Sequence, residues 1–328
     1  MNAAGRLTAY GAGLAVAFAG AFVAAGAVVP DGAAQPQQAA QPQQAAQPQQ
    51  EVGGEQMEDH EAMSEDQAGQ SPSTESPHGT AIAQDGFQLS PVHAPGSVDE
   101  AGDLRFQVLD ATGDPVTRFR TAHDKDLHLI VVRSDGSEFR HVHPDLDAAT
   151  GTWSIPWEWA EAGTYRAYVD FVPAAGDDGQ SVTLTRTVQV AGDFSPVTPE
   201  PTATDEVDGF TVELAGDLAA GTTSDLTLSV SRDGEPVTTL EPYLGAFGHL
   251  VALREGDLAY LHVHAAGADP AEGDTAGPEI AFAAEAPTAG RYLLYLDFQV
   301  EGQVHTAQLV LDAGRGRAAL DATGHSGH

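Results

Sequence analysis

The feature that most constrains this chain is an internal repeat: one motif after another recurs about 121 residues further on, in the same order. Asp85-Gly86-Phe87 returns as Asp208-Gly209-Phe210, Pro115-Val116-Thr117 as Pro236-Val237-Thr238, and His128-Leu129 as His249-Leu250. His141-Val142-His143 returns as His262-Val263-His264, Ala162-Gly163-Thr164-Tyr165 as Ala289-Gly290-Arg291-Tyr292, and Tyr168-Val169-Asp170-Phe171 as Tyr295-Leu296-Asp297-Phe298. Two copies of one small domain satisfy this order; a single large core does not. Within each copy, short apolar runs alternate with Gly, Pro and Asp punctuation, the signature of a sandwich of short strands. About seven strands per copy match an immunoglobulin-like sandwich. The chain is therefore expected to be all-β, with repeats over 81–193 and 205–314. Residues 194–204, with three prolines and three threonines, join them.

The flanks are of a different kind. Leu7 to Val29 carries no charge and follows Arg6. Residues 1–30 read either as a signal peptide cut near Ala25-Gly26-Ala27 or as a retained helix of about the 20 residues a bilayer requires. The length of the run favours the anchor. Either fate puts the rest of the chain outside the cytoplasm, anchored in the cell membrane or secreted. Residues 31–80 begin as a Gln/Pro/Ala repeat and continue as an acidic stretch, a composition that buries no core. Met57, His60, Met63 and His78 lie within it, on an acidic tether that doubles as a weak lure for soft metals. The tail, 315–328, is expected to be disordered, and His325 and His328 give it weak affinity for Cu(II) or Ni(II) at most.

Charge and cysteine content exclude several classes. Forty-eight acidic residues against fourteen basic ones leave a formal net charge of -34. Nucleic acid is thus no partner, and contact with a membrane is confined to the N-terminal segment. The absence of cysteine removes disulfides, thiolate metal sites and the blue-copper centre.

Chemistry concentrates in the histidines. Asp135-Gly136 separates two strand-like runs and suggests a two-residue type I′ hairpin loop. That register sets Ile130 opposite His141 and His128 opposite His143. Side chains alternate along a strand, so His128, Ile130 and Val132 share a face with Phe139, His141 and His143. In the second copy Gly256-Asp257 suggests a type II′ loop, with Val251 opposite His262 and His249 opposite His264. Asp170 and Asp297, on half-buried strands, are the natural fourth members, as ligands or as groups that orient a ligating imidazole. The candidate metal residues are therefore His128, His141, His143 and Asp170 in one copy and His249, His262, His264 and Asp297 in the other. Against this stands a buried polar network in which the same histidines only stabilise the sheet. His123 and His305 have no histidine counterpart in the other copy and mark a difference between the two. Trp153, Trp157 and Trp159 read as core packing.

The string His-Leu-Ile-Val-Val-Arg from His128, then Phe139-Arg-His-Val-His-Pro144, followed by the Ala-Gly-x-Tyr and Tyr-x-Asp-Phe motifs, resembles a family of exported bacterial proteins. Its domains are like the small immunoglobulin- or CopC-like sandwiches of copper- and heavy-metal-handling envelope proteins. Actinobacterial members have a Gly- and Ala-rich hydrophobic N-terminus like that around Tyr10. The resemblance covers about 81–312 and implies a metal-related role in the envelope. Ala265 departs from it where the first copy has Pro144. The repeats hold no methionine, so Cu(II) or Zn(II) through imidazoles is expected rather than Cu(I).

Three functions follow: a metal-binding protein, a non-catalytic interaction module on a stalk, and a zinc hydrolase. The last lacks a general base and a substrate motif, so no enzyme is expected. The first implies about two ions per chain, released near pH 5 as the histidines protonate.

Overall fold

The computed structural model describes residues 79–174, 180–267, 269–271 and 273–315, without the side chains of His262 and His264. The N-terminal hydrophobic run, the Gln/Pro spacer with Met57, His60 and Met63, His78, and the C-terminal histidines lie outside these residues. Both repeats belong to one compact unit. Every regular element among the described residues is a strand.

In the first repeat these are β1 (Ala83–Gln84), β2 (Phe87–Leu89), β3 (Gly102–Leu109), β4 (Phe119–Arg120), β5 (His128–Arg133), β6 (Arg140–Val142), β7 (Asp145–Asp147), β8 (Thr152–Trp157), β9 (Gly163–Pro173) and β10 (Val182–Val190). The second has β11 (Thr204–Val207), β12 (Phe210–Ala215), β13 (Thr223–Arg232), β14 (Glu235–Pro236), β15 (His249–Arg254), β16 (His262–Ala265), β17 (Glu279–Glu285), β18 (Gly290–Val300) and β19 (Gln303–Ala313). One sheet of the first repeat runs β1-β2-β3-β8-β7 and the other β10-β9-β5-β6. The second repeat gives β11-β12-β13-β17-β16 and β15-β18-β19. This is the Greek-key strand order of an immunoglobulin-like sandwich, ABED facing GFC, with an added C′ strand in the first repeat. Each repeat also has the tyrosine corner of that architecture. The Tyr165 hydroxyl donates to Glu161 O at 2.7 Å, and Tyr292 to Thr288 O at 2.8 Å. The recurring Ala-Gly-x-Tyr motif is the sequence trace of that corner. Tyr165→Phe is expected to lower stability by about 1 kcal/mol in urea denaturation, the worth of one such bond.

The central strands are buried on both faces, which explains why β5 reads as an almost unbroken apolar run. Leu129 and Val131 join Trp153, Trp157, Trp159 and Tyr165 in the core of the first sandwich. Leu250, Ala252, Tyr292, Leu294 and Phe298 fill the core of the second. The alternate residues form a third core between the repeats: Ile130, Val132, Phe139 and Tyr168 from the first, Val251, Leu253, Leu258, Leu293 and Tyr295 from the second. The contact is reciprocal. Tyr168 donates to Leu258 O and Tyr295 to Gly136 O, each at 2.5 Å, and the Phe139 and Tyr295 rings stack at 3.9 Å. The segment that joins the repeats is fastened to both of them. Val197 N–H donates to Asp135 Oδ2 at 2.8 Å, and Arg291 donates to Pro199 O at 2.7 Å.

Both hairpins depart from the turn types expected of them. In the first, Gly136 N–H closes on Arg133 O, and Gly136, not Asp135, is left-handed, at φ 87°. That is a type I turn followed by a glycine bulge. The offset of one residue is taken up at Glu138, φ 55°, so Ile130 still pairs with His141. A Cβ on residue 136 would also run into Leu293 of the second repeat. In the second hairpin Arg254 and Ala259 close a longer loop, with Leu258 left-handed as well as Gly256.

The strand after that loop also differs. Leu253 bridges Tyr260 in the expected register, but β16 then joins β17, with His262 opposite Glu285 and His264 opposite Ala283. The expected pairing of His262 with Val251 and His264 with His249 is therefore not formed. In the first repeat Pro144 separates β6 from β7, whereas in the second β16 runs on through Ala265 and Ala266 N–H reaches Ala281 O at 2.8 Å.

Candidate metal centre between the repeats

His128 opens β5, His141 lies on β6 and His143 follows just beyond it. All three have the same alternation as Ile130, Val132 and Phe139, so their side chains belong to the face that meets the second repeat. One ring nitrogen of each converges, all within 4.8 Å of one another. His128 Nδ1 is 3.1 Å from His141 Nε2 and 3.1 Å from His143 Nε2. Tetrahedral zinc with bonds of about 2.0–2.1 Å places its ligand nitrogens about 3.3 Å apart, close to these values.

The outer nitrogens decide which way the protons point. His128 Nε2 is 3.2 Å from Ala122 O, and a carbonyl only accepts, so Nε2 carries the hydrogen and Nδ1 is bare. His141 Nδ1 is 2.8 Å from Asp297 Oδ2, so Nδ1 donates its hydrogen to the carboxylate and Nε2 is the nitrogen that faces His128. Thr306 donates to the other oxygen, Oδ1, at 2.6 Å. Burial and the neighbouring His141 depress the imidazolium of His128, whose pKa is pushed down to about 4. Burial followed by His141 and His128 pushes His143 down to about 3. Burial thus keeps His128 and His143 neutral at pH 7, and their inner nitrogens converge with that of His141, as a cation-binding site requires.

The surroundings come from both repeats. Asp297 was expected to complete a cluster in its own repeat. It stands opposite His249 in the β15–β18 ladder, yet its side chain holds His141 of the other repeat. Asp170, opposite His128 in the ladder, accepts hydrogen bonds from Ser181 at 2.5 Å and Thr183 at 2.8 Å. His249 Nε2 donates to Tyr243 O at 2.8 Å, the counterpart of the His128 contact with Ala122, and burial lowers its pKa. Its ring lies 6.4 Å from that of His141 and 5.6 Å from that of His123. His123, expected to mark a difference between the repeats, is exposed beside the cluster, its ring 6.1 Å from that of His128. The side chains of His262 and His264 lie outside the described residues. His305 is elsewhere, held by Asp208 at 2.8 Å against Phe210 and Phe298. A cleft of about 380 Å³ opens beside His143, lined by Asp124, Asp126 and Asp145 and by Lys125, the sole lysine. Sequence reasoning missed Tyr243, Thr306 and the carbonyl of Ala122, because none stands in a recurring motif.

Strand order and core packing define a protein of two immunoglobulin-like sandwiches packed on one another, with a histidine cluster at the contact. The chain belongs to the family described as a domain of unknown function (DUF8832), whose model matches residues 82–192 and again 205–315. No curated protein matches it. Among solved structures it is similar to the Yersinia pseudotuberculosis adhesin InvE, at 13% identity over 71% of this chain and a TM-score of 0.20. The match spans 60% of that adhesin chain. Domains 4 and 5 of the S-layer protein SbsC match at 10% identity over 72% of this chain and 98% of theirs, TM-score 0.20. The D00-D0 domain of intimin matches at 11% identity over 69% of this chain and 98% of its own, TM-score 0.19.

Proposed function

We propose that this is an extracytoplasmic protein, anchored by its N-terminal segment or secreted, that binds a divalent ion, Zn(II) or Cu(II), through His128, His141 and His143. One observation carries the reading: a ring nitrogen of each of the three histidines converges, with His128 Nδ1 3.1 Å from both His141 Nε2 and His143 Nε2, near the ligand separation of a tetrahedral ion. The alternative is an interaction module whose histidines form a buried polar network, in which His141 charged against Asp297 donates to His128 Nδ1. Imidazole nitrogens suit either ion, and the absence of methionine from the repeats favours Cu(II) over Cu(I). The acidic cleft beside His143 offers a cation a route from solvent. The role is stoichiometric binding, as in a buffer or carrier.

Isothermal titration of the full chain with Zn(II) and with Cu(II) tests this. Saturable binding is expected, abolished in His128→Ala. No heat, or heat unchanged by the substitution, refutes the reading. Because His128 and His143 resist protonation until about pH 4 and about pH 3, release is expected below the pH 5 that ordinary histidines imply.

A further inference from the structure

We infer that the ion site is shared by the two repeats: Asp297 of the second repeat acts as a positioning residue for His141 of the first, so ion binding clasps the two sandwiches together. The inference rests on the metal reading above and deepens it, since that reading by itself requires only the three histidines of the first repeat.

Three observations support it. Asp297 Oδ2 holds His141 Nδ1 at 2.8 Å across 156 positions of sequence, with both side chains about 95% buried or more. Thr306, on the neighbouring strand β19, donates to Oδ1 and fixes the carboxylate in turn. The chain His141–Asp297–Thr306 thus reaches from the inner nitrogens of one repeat into the outer strand of the other. Second, the His cluster continues the face that forms the inter-repeat core, so docking and site assembly use the same sheet surfaces. Third, rings of both repeats crowd the cluster: His249 lies 6.4 Å from His141, and Tyr243 lies 6.4 Å from His143.

The chemical consequence is specific. A carboxylate on Nδ1–H holds the imidazole in the tautomer whose Nε2 ligates, and makes that nitrogen a stronger donor. Without the second repeat in place, His141 loses both its orientation and its tautomer preference. Linkage makes the effect reciprocal, so an ion bound at the histidines strengthens docking by the same factor that docking strengthens ion binding.

The test compares the full chain with three variants, Asp297→Asn, Asp297→Glu and Leu293→Asp, by Zn(II) titration and by the visible spectrum of bound Co(II). Asn keeps the size of the side chain but loses its charge. Leu293 is 3% exposed in the inter-repeat core, on β18 with Asp297, and contributes nothing to the site itself. Circular dichroism and urea denaturation report whether each variant folds. Asp297→Asn is expected to weaken affinity roughly 10- to 100-fold and to shift the Co(II) bands, with partial recovery in Asp297→Glu. Leu293→Asp is expected to weaken affinity as well, although it touches no ligand. If Leu293→Asp does not fold, Asp297→Asn and the Co(II) spectrum carry the decision. Wild-type affinity and an unchanged spectrum in Asp297→Asn overturn the clasp while leaving the histidine site standing. Failure of the wild-type chain to bind Zn(II) or Co(II) overturns the metal reading and the clasp with it.

Discussion

Tyr295→Ala is expected to destabilise the protein by about 3–5 kcal/mol, the cost of removing a large aromatic side chain from a packed interior. Tyr295 is 2% exposed, stacks on Phe139 of the other repeat and donates to Gly136 O at the tip of its hairpin. Truncation removes the stack, opens a cavity among Val132, Leu258 and Leu293, and leaves a buried carbonyl without its donor. Because the lost contacts lie between the repeats, the effect is more than a loss of midpoint. Chemical denaturation of the wild type is expected to follow one transition and that of the variant two, as each sandwich keeps its own core. A single transition at the wild-type midpoint contradicts this account of the interface.

Acidification of the ion-free protein gives the second large effect. Unfolded histidine titrates near 6.5, whereas folded His128 titrates at about 4 and His143 at about 3. Between these limits the unfolded chain binds more protons than the folded one, so stability falls as pH falls. The contribution is fully present above pH 6.5 and is lost through about pH 4. For His128, 8% exposed, the shift corresponds to on the order of 3 kcal/mol. His141, His123, His249, Lys125 and Asp297 face this pair, and every one of them except Asp297 adds positive charge or competes for protons in acid. Protonation of the surface carboxylates relaxes the repulsion of a chain with net charge -34 and works in the opposite direction. The difference between wild type and His128→Gln/His143→Gln isolates the histidines. Urea denaturation in chelator at pH 7 and pH 4.5 should show a smaller loss in the variant. Equal losses would mean that these imidazoles are not held neutral by burial.

Much of this was legible in the sequence, for identifiable reasons. The shared spacing of β5 with β15, and of β9 with β18, follows the recurring motifs residue for residue, because strands on which both faces pack tolerate little change in length or alternation. The face shared by His128, Ile130, Val132, Phe139, His141 and His143 follows from the period of two, and Ile130 does pair with His141. The turn types were not legible, since Asp-Gly serves a type I turn with a bulge as readily as a type I′ turn, and Glu138 conceals the difference in register. The sheet that β16 joins was legible only in part: Ala265 in place of Pro144 marked a departure without naming the new partner strand, β17.

The sequence by itself determined that this chain is two β-sandwiches and that His128, His141 and His143 share one face of the first. Both depend on local alternation and on a repeat that the chain displays twice. Only the tertiary structure decided where that face points and who completes it. Alternation labels a side of a strand as apolar but does not say whether its partner is the same sandwich or the next one. The Asp297–His141 hydrogen bond joins residues that no spacing relates, through a docking of surfaces set by the summed packing of Ile130, Val132, Phe139, Tyr168, Leu293 and Tyr295.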